Sequence, residues 1–201
     1  MKKQLSIIAF VLIATMAYGQ KVKVQEGSFK ALKGITEYNL EFDYEGVMIP
    51  KYDSEEEFLA DKMAKREEKK PGDGERFKAD WFGDRDAHYE PKFVESFNKR
   101  WKKNEITVGE DMISAEYTMK VKTTLMWAGY NVGVIRKNAK IEAIVSVYET
   151  ANPSNVLWAA KYTKVEGGSF GGYDFDSAQR IGEGYAKLAK TVAANIKKKA
   201  K

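Results

Sequence analysis

The chain has 201 residues, a net charge of +5, 12 % aromatic residues and no cysteine. This length suffices for one domain with a substantial core, and the aromatic content excludes a chain that is disordered throughout. The absence of cysteine excludes disulfides, thiol nucleophiles and thiolate metal sites, so the core has to stabilise the fold without covalent cross-links.

The first 19 residues have the pattern of a secretory signal peptide. Lys2 and Lys3 are positively charged, Ile7–Ala14 is a short apolar run, and small residues precede an expected cleavage site after Gly19. We expect a mature chain that starts at Gln20 and is periplasmic or secreted. An uncleaved N-terminal anchor is the alternative, although the apolar run is short for a membrane span. No later run predicts a transmembrane segment, and no cysteine is available for a lipid anchor.

Alternation of apolar and polar residues predicts the first strands. Lys21–Val24 alternates over a short run, and Thr36–Tyr44 alternates more clearly, with an acidic outward face. We expect Val47–Ile49 to extend the sheet as far as Pro50.

The apolar spacing then changes to that of helices. Ser54 and Glu57 form a capping box, which predicts a charge-rich surface helix that stops at Pro71. The stretch from Pro71 to Pro91 is rich in acidic residues and predicts an irregular segment. A second helix is expected from Pro91, a favourable first helical residue, to about Lys102.

The second half of the chain begins with the clearest strand, Ala115–Trp127. Its expected buried face holds six alternating residues: Ala115, Tyr117, Met119, Val121, Thr123 and Leu125. A glycine-containing reversal is expected over 128–134, and a second strand over Lys140–Glu149. Turn residues at Asn152–Asn155 lead to a third strand, Val156–Val165, which is followed by the glycine-rich loop Gly167–Gly172.

A long amphipathic helix is predicted at the end of the chain, from an Asp176 cap to about Lys198. We therefore predict an α+β fold: an antiparallel or mixed sheet covered by this helix, in a single domain over 20–201 with a helical insert at 50–105. The lysines of 197–201 suit the end of a helix, and we expect no nucleic-acid partner.

This order of turns, strands and helix resembles a set of exported proteins from Gram-negative envelopes. They include uncharacterised families of small periplasmic proteins and, more distantly, the α+β domain shared by the curli secretion channel subunit and the N-terminal domain of the TolB translocation protein. The residues that carry the resemblance are Ala115–Tyr117, Tyr130–Gly133, Asn152–Trp158 and Gly167–Gly172. The resemblance implies a non-enzymatic envelope component and transfers no functional residue. The lipid-modified cysteine often found in such families is absent here.

One candidate metal site lies in the acidic stretch, where Asp80, Asp84, Asp86 and Glu90 supply oxygen ligands beside His88, the only histidine. Calcium prefers several carboxylates on a flexible loop, although the spacing is not that of an EF-hand. The alternative is an acidic surface loop anchored by its aromatic residues.

A candidate binding surface combines Trp127, Tyr130, Phe170 and Tyr173, which lie at or near two glycine-rich loops. Aromatic residues on loops are typical of surfaces that bind a protein or a glycan. The alternative is that these four side chains close the ends of the core.

No specific catalytic signature stands out: the glycine-rich loop lacks the lysine of a phosphate-binding loop, and a Ser–His–Asp arrangement would have to use His88, the only histidine. We expect no enzymatic activity and no cofactor. The predicted function is that of an exported, non-catalytic envelope or secreted protein that contacts another envelope protein. A ligand-binding module for glycan or calcium and a small hydrolase are the alternatives.

Overall fold

A computed structural model of the chain describes residues 20–102, 105–168 and 176–201. The expected signal peptide lies outside these residues. Four α-helices are found in the described ranges: α1 (Glu55–Glu67), α2 (Asp73–Asp84), α3 (Glu90–Asn98) and α4 (Ser177–Lys199). None of the helices in these ranges is both long enough and apolar enough to cross a membrane.

The strands form one mixed sheet and one small ribbon. The strands are β1 (Lys21–Gly27), β2 (Glu37–Asp43), β3 (Thr107–Gly109), β4 (Tyr117–Trp127), β5 (Tyr130–Asn131), β6 (Arg136–Lys137), β7 (Ala139–Glu149) and β8 (Asn152–Gly167). The six-stranded sheet has the order β1-β8-β7-β4-β2-β3, with β2 parallel to both of its neighbours and the other pairs antiparallel. The predicted α+β fold is confirmed, with α4 at the C-terminus and three helices in the first half.

Helix α4 covers one face of the sheet. The Asp176 carboxylate accepts a hydrogen bond from the Ala178 N–H at 2.9 Å, as the predicted cap requires. The apolar stripe of α4 is buried against the sheet, where Thr123 and Tyr185 share a hydrogen bond of 2.5 Å between their hydroxyls. The opposite face of the sheet carries charged pairs, such as Lys120 with Asp43 at 3.0 Å.

Strand β8 and helix α4 are in backbone contact at Gly167. A Cβ atom at this position would lie 2.1 Å from the Arg180 carbonyl oxygen and 2.3 Å from the Gly184 nitrogen. Real Cβ atoms do not approach other atoms this closely, so only glycine fits here. The absence of a side chain sets how close the helix lies to the sheet.

The segment between Pro71 and Pro91 was expected to be irregular, and this expectation is wrong. The chain forms α2, then a π-helical turn over Arg85–Tyr89, and continues directly into α3. Trp81 and Tyr89 are buried within it. Packing of these aromatic side chains stabilises helix despite the glycines and acidic residues that suggested a loop.

The expected buried face of β4 is correct only as far as Thr123. A β-bulge lies at Thr124, because Thr123 pairs with Ala143 while Leu125 already pairs with Glu142. The extra residue reverses the alternation, so that Met126 is fully buried in place of the predicted Leu125. Trp127 consequently lies on the charged face of the sheet.

Three smaller corrections concern the bounds of elements. The reversal between β7 and β8 is at Thr150–Ala151, and the predicted turn residues Asn152–Asn155 belong to the start of β8. Helix α3 starts at Glu90, with Pro91 in its first turn, and ends at Asn98 rather than near Lys102. Met48 makes a single bridge to Leu125 where a continuing strand was expected.

The contact at Gly167 makes a stability prediction. Gly167→Ala is expected to lower the free energy of unfolding by about 1–3 kcal/mol or more, because two backbones have to move apart. The measurement is urea denaturation followed by circular dichroism. Gly83→Ala in α2 is the control, since a Cβ there meets nothing within 4 Å. This control is expected to raise stability by up to about 1 kcal/mol, and equal losses in both variants would contradict the packing argument.

Candidate functional site

The five residues of the candidate metal site lie along the helical stretch from α2 to α3. His88 Nε2 is 3.8 Å from Asp84 Oδ1, one helical turn away, and the imidazole is about half exposed. No group of three His, Cys, Asp or Glu side chains positioned for a metal ion occurs within residues 20–102, 105–168 and 176–201. Asp80 lines a different surface groove from His88.

Glu90 differs from the other four because it is buried, with 8 % of its surface exposed. The Tyr44 hydroxyl donates a hydrogen bond to Glu90 Oε1 at 3.1 Å. Burial raises the pKa of Glu90 to about 7, repulsion from Glu110 adds to this shift, and the Tyr44 hydrogen bond opposes it. Glu90 is therefore part of the helix–sheet core and lines none of the surface grooves described here.

Trp127 and Tyr130, two of the four predicted binding residues, are brought together. Their rings meet edge to face, with centroids 6.4 Å apart and an interplanar angle of 80°. Both side chains are partly exposed. Phe170 and Tyr173, the other two, lie outside the described residues.

Trp127 lines a groove of about 550 Å³ at the end of the charged sheet face. Lys140 lies next to Trp127, with its ammonium nitrogen 5.6 Å from the centre of the indole ring. This distance is typical of a cation–π contact. The groove, named here the Trp127 groove, is lined by these two residues and by Lys51, Glu142, Lys164 and Glu166.

Two β-bulges shape the Trp127 groove. One is the bulge at Thr124 in β4, and the other lies in β8, where Thr163 and Lys164 oppose the single residue Glu142. Bulges bend a strand and redirect its side chains, and they are frequent beside functional sites. Glu142 lies between the two bulges, on the face that Trp127 joins.

Two lysines of the groove have backbone conformations that favour glycine. Lys51 has φ 80° and Lys164 has φ 58°, and they are the only non-glycine residues with positive φ in the described chain. Lys51 occupies the third position of a turn closed by a hydrogen bond of 3.1 Å from Tyr52 N–H to the Ile49 carbonyl. With Pro50 before it, this is the position that a type II turn normally gives to glycine.

A β-hairpin projects next to the groove. Strands β5 and β6 form its ribbon, and a hydrogen bond of 3.1 Å from Val132 N–H to the Ile135 carbonyl closes it. The described residues include eight exposed large apolar side chains, of which four lie here. The hairpin surface, as it is called below, consists of these four: Tyr130, Val132, Val134 and Ile135.

The base of the hairpin is held against the domain. The buried Arg180 side chain donates a hydrogen bond of 2.8 Å from Nε to the Ala128 carbonyl. Gly129 follows with φ 62°, and a Cβ there would lie 2.2 Å from the Lys137 carbonyl oxygen. Only glycine allows this close approach of the two arms.

Sequence reasoning found Trp127 and Tyr130 but missed the groove lysines and the apolar hairpin residues. Pro50 was a usable signal for Lys51, because proline often precedes a residue with positive φ in a turn. The apolar residues around Gly133 were a second signal, since a glycine turn leaves its neighbours exposed. No local pattern identified Lys164.

Comparison with known proteins adds little. No family model and no curated protein matches the chain. A PelC dodecamer from Paraburkholderia phytofirmans has a TM-score of 0.40 at 10 % identity, over 89 % of this chain and 97 % of that chain. A single-substitution variant of the same PelC has a TM-score of 0.35 at 11 % identity, over 86 % of this chain and 99 % of that chain. At this similarity neither carries an inference about function or assembly, and the resemblance to the curli and TolB domains stays a prediction.

The buried carboxyl of Glu90 makes stability depend on pH. Its pKa of about 7, raised from 4.5, means that the folded protein binds the proton more tightly than the unfolded chain. This contribution is complete below the unfolded pKa and is lost as the pH rises through the folded pKa. Glu90→Gln is therefore expected to raise the melting temperature relative to wild type near pH 8, with no gain near pH 4.

The control for this pH experiment is Glu95→Gln on the same helix. Glu95 is half exposed and paired with Lys99, and this hydrogen-bonded ion pair lowers its pKa. The control should therefore show no gain in melting temperature at the higher pH. A gain for Glu90→Gln of the same size at both pH values would contradict the assignment.

The backbone of Lys51 makes a second prediction. Lys51→Gly is expected to raise the melting temperature by roughly 2–4 °C, because relief of a left-handed conformation is worth about 1 kcal/mol. Differential scanning calorimetry provides the measurement. Lys33→Gly is the control, since Lys33 has φ −65° and gains only flexibility in the unfolded state. An equal decrease in both variants would show that Lys51 is unstrained.

Proposed function

We propose that this chain is an exported, non-catalytic envelope or secreted protein that acts by binding a partner protein through its hairpin surface. The observation that carries the proposal is the concentration of exposed apolar side chains on one projecting hairpin, where Val134 is 94 % exposed. Clustered exposed apolar residues typically mark interaction sites. The signal-peptide pattern of residues 1–19 supports export.

The energetic argument concerns burial. Val132, Val134 and Ile135 are each more than half exposed in the isolated chain. Burying an aliphatic side chain of this kind contributes about 1.5–3 kcal/mol. Three such side chains, together with the ring of Tyr130, could form the apolar centre of an interface. Exposure of these residues is unfavourable for solubility unless a partner covers them.

The surroundings of the hairpin favour a protein partner over an anionic membrane surface. Lys140, Glu142 and Glu166 line the Trp127 groove, and the Trp127 ring contacts Tyr130 of the hairpin surface, so that both signs of charge lie beside the apolar residues. A rim of mixed charge around an apolar centre is typical of protein interfaces. An anionic bilayer would attract the lysines but repel the carboxylates.

The first test is crosslinking in intact cells that produce the protein. A photoreactive amino acid at position 134 is expected to give one discrete product with an envelope protein. The same amino acid at position 113 is the control, because Ile113 is also highly exposed but precedes the opposite end of β4, roughly 30 Å away. Products of equal yield from both positions would contradict the proposal.

Affinity provides the quantitative test. The triple variant V132S/V134S/I135S is expected to weaken binding of the purified partner by at least about tenfold, since several apolar contacts are lost. Ile113→Ser should leave the affinity unchanged. Flotation with vesicles that contain anionic lipid tests the membrane alternative. If the protein floats with the vesicles only when the hairpin is intact, and no crosslinked protein is found, the partner of the hairpin surface is a bilayer and the proposal of a protein partner is wrong.

A further inference from the structure

The Trp127 groove has a chemistry distinct from that of the apolar hairpin. It combines one partly exposed indole ring with three lysines and two glutamates around a volume of about 550 Å³. This volume falls within the range of pockets that bind small ligands. An aromatic surface and convergent polar groups of both signs are present in the same groove.

Lys51 and Lys140 are not neutralised by the carboxylates of the groove. Glu142 pairs with Lys161, a lysine outside the groove lining, at 3.4 Å, and Glu166 accepts a hydrogen bond of 3.4 Å from the Asn138 amide. Within the described ranges, no carboxylate lies within ion-pair distance of Lys51 or Lys140. The Lys140 ammonium group lies over the Trp127 ring, a contact that leaves it able to bind an anion.

The positions of two groove lysines also point to a ligand. Lys51 and Lys164 both have positive φ, where glycine would relieve backbone strain. Residues in strained conformations cluster at binding sites, where the strain positions a side chain. Here the two strained residues belong to different segments of the chain, and both line the same groove.

We propose that the Trp127 groove binds an acidic saccharide. The ring of the sugar packs on the exposed part of Trp127, and its carboxylate is bound by Lys51 and Lys140 through charge-assisted hydrogen bonds. Glu142 and Glu166 accept hydrogen bonds from sugar hydroxyls. The same two carboxylates disfavour ligands with many phosphates, such as nucleic acid, because like charges would face each other.

The experiment is isothermal titration calorimetry on the full chain with three probes: trigalacturonate, neutral galactotriose and inorganic phosphate. Trigalacturonate is expected to bind, and the other two are expected to bind at least about tenfold more weakly. Lys140→Gln and Lys51→Gln should each weaken trigalacturonate binding by about tenfold, because each removes one charge-assisted contact. Binding should also weaken as the salt concentration rises.

The matched control is Lys33→Gln, which removes the same charge at a surface bordered by Glu116 and Tyr117, near the other end of β4. Affinity for trigalacturonate should be unchanged in this variant. A loss of affinity as large as that of Lys51→Gln or Lys140→Gln would show that only the net charge of the protein matters. Equal binding of galactotriose would show that the lysines are not used, and equal binding of phosphate would reduce the site to one for simple anions. Absence of binding by trigalacturonate would overturn the proposal.

The saccharide proposal can fail separately from the proposed protein partner. The triple variant V132S/V134S/I135S alters the hairpin surface and leaves the indole ring and all five charged residues of the groove intact. It should therefore retain the wild-type affinity for trigalacturonate. Loss of saccharide binding in this variant would place the ligand on the hairpin and overturn the assignment to the groove.

Discussion

The buried face of helix α4 is the surface on which both the sheet and the end of the helical insert pack. Gly184 and Gly167 bring the helix into backbone contact with the sheet. Tyr185 of α4 contacts both parts. Its ring stacks on that of Tyr89 in the helical insert, with ring centroids 5.5 Å apart, and its hydroxyl shares a hydrogen bond with the Thr123 hydroxyl of the sheet. The buried face of α4 therefore fixes the positions of both the sheet and the insert.

The location of the candidate site depends on the two bulges. A strand of strict alternation would have placed Trp127 in the core with Thr123, beneath α4. The bulge at Thr124 places it on the charged face, and backbone hydrogen bonds from Met48 N–H to the Thr124 carbonyl and from Met126 N–H to the Met48 carbonyl hold both sides of that bulge. The loop that supplies Lys51 to the groove follows two residues later, so one segment both fixes the bulge and lines the site.

Patterns with a local physical cause were predicted correctly from the sequence. Alternation identified β1, β2, β4, β7 and most of β8, and caps identified the starts of α1 and α4, where Ser54 accepts a hydrogen bond from Glu57 N–H at 3.1 Å. The bulges and the π-helical turn depend on the register between distant segments, which no single stretch encodes. Trp127 was found by residue type alone, and its surroundings could not be predicted because they depend on the bulge and on Lys164 in β8.

The groove and the hairpin meet at the ring pair of Trp127 and Tyr130, yet they are held by different parts of the domain. Trp127 ends a strand of the main sheet, whereas the hairpin begins after Ala128, whose carbonyl is fixed by Arg180 of α4. A partner that changes the conformation of the hairpin tip would therefore move only residues that follow the hydrogen bond between Arg180 and Ala128. Binding at one surface can then proceed without changing the other, because coupling requires an element whose two states both ligands distinguish. The close approach at Gly129 makes the base of the hairpin a poor candidate for such an element.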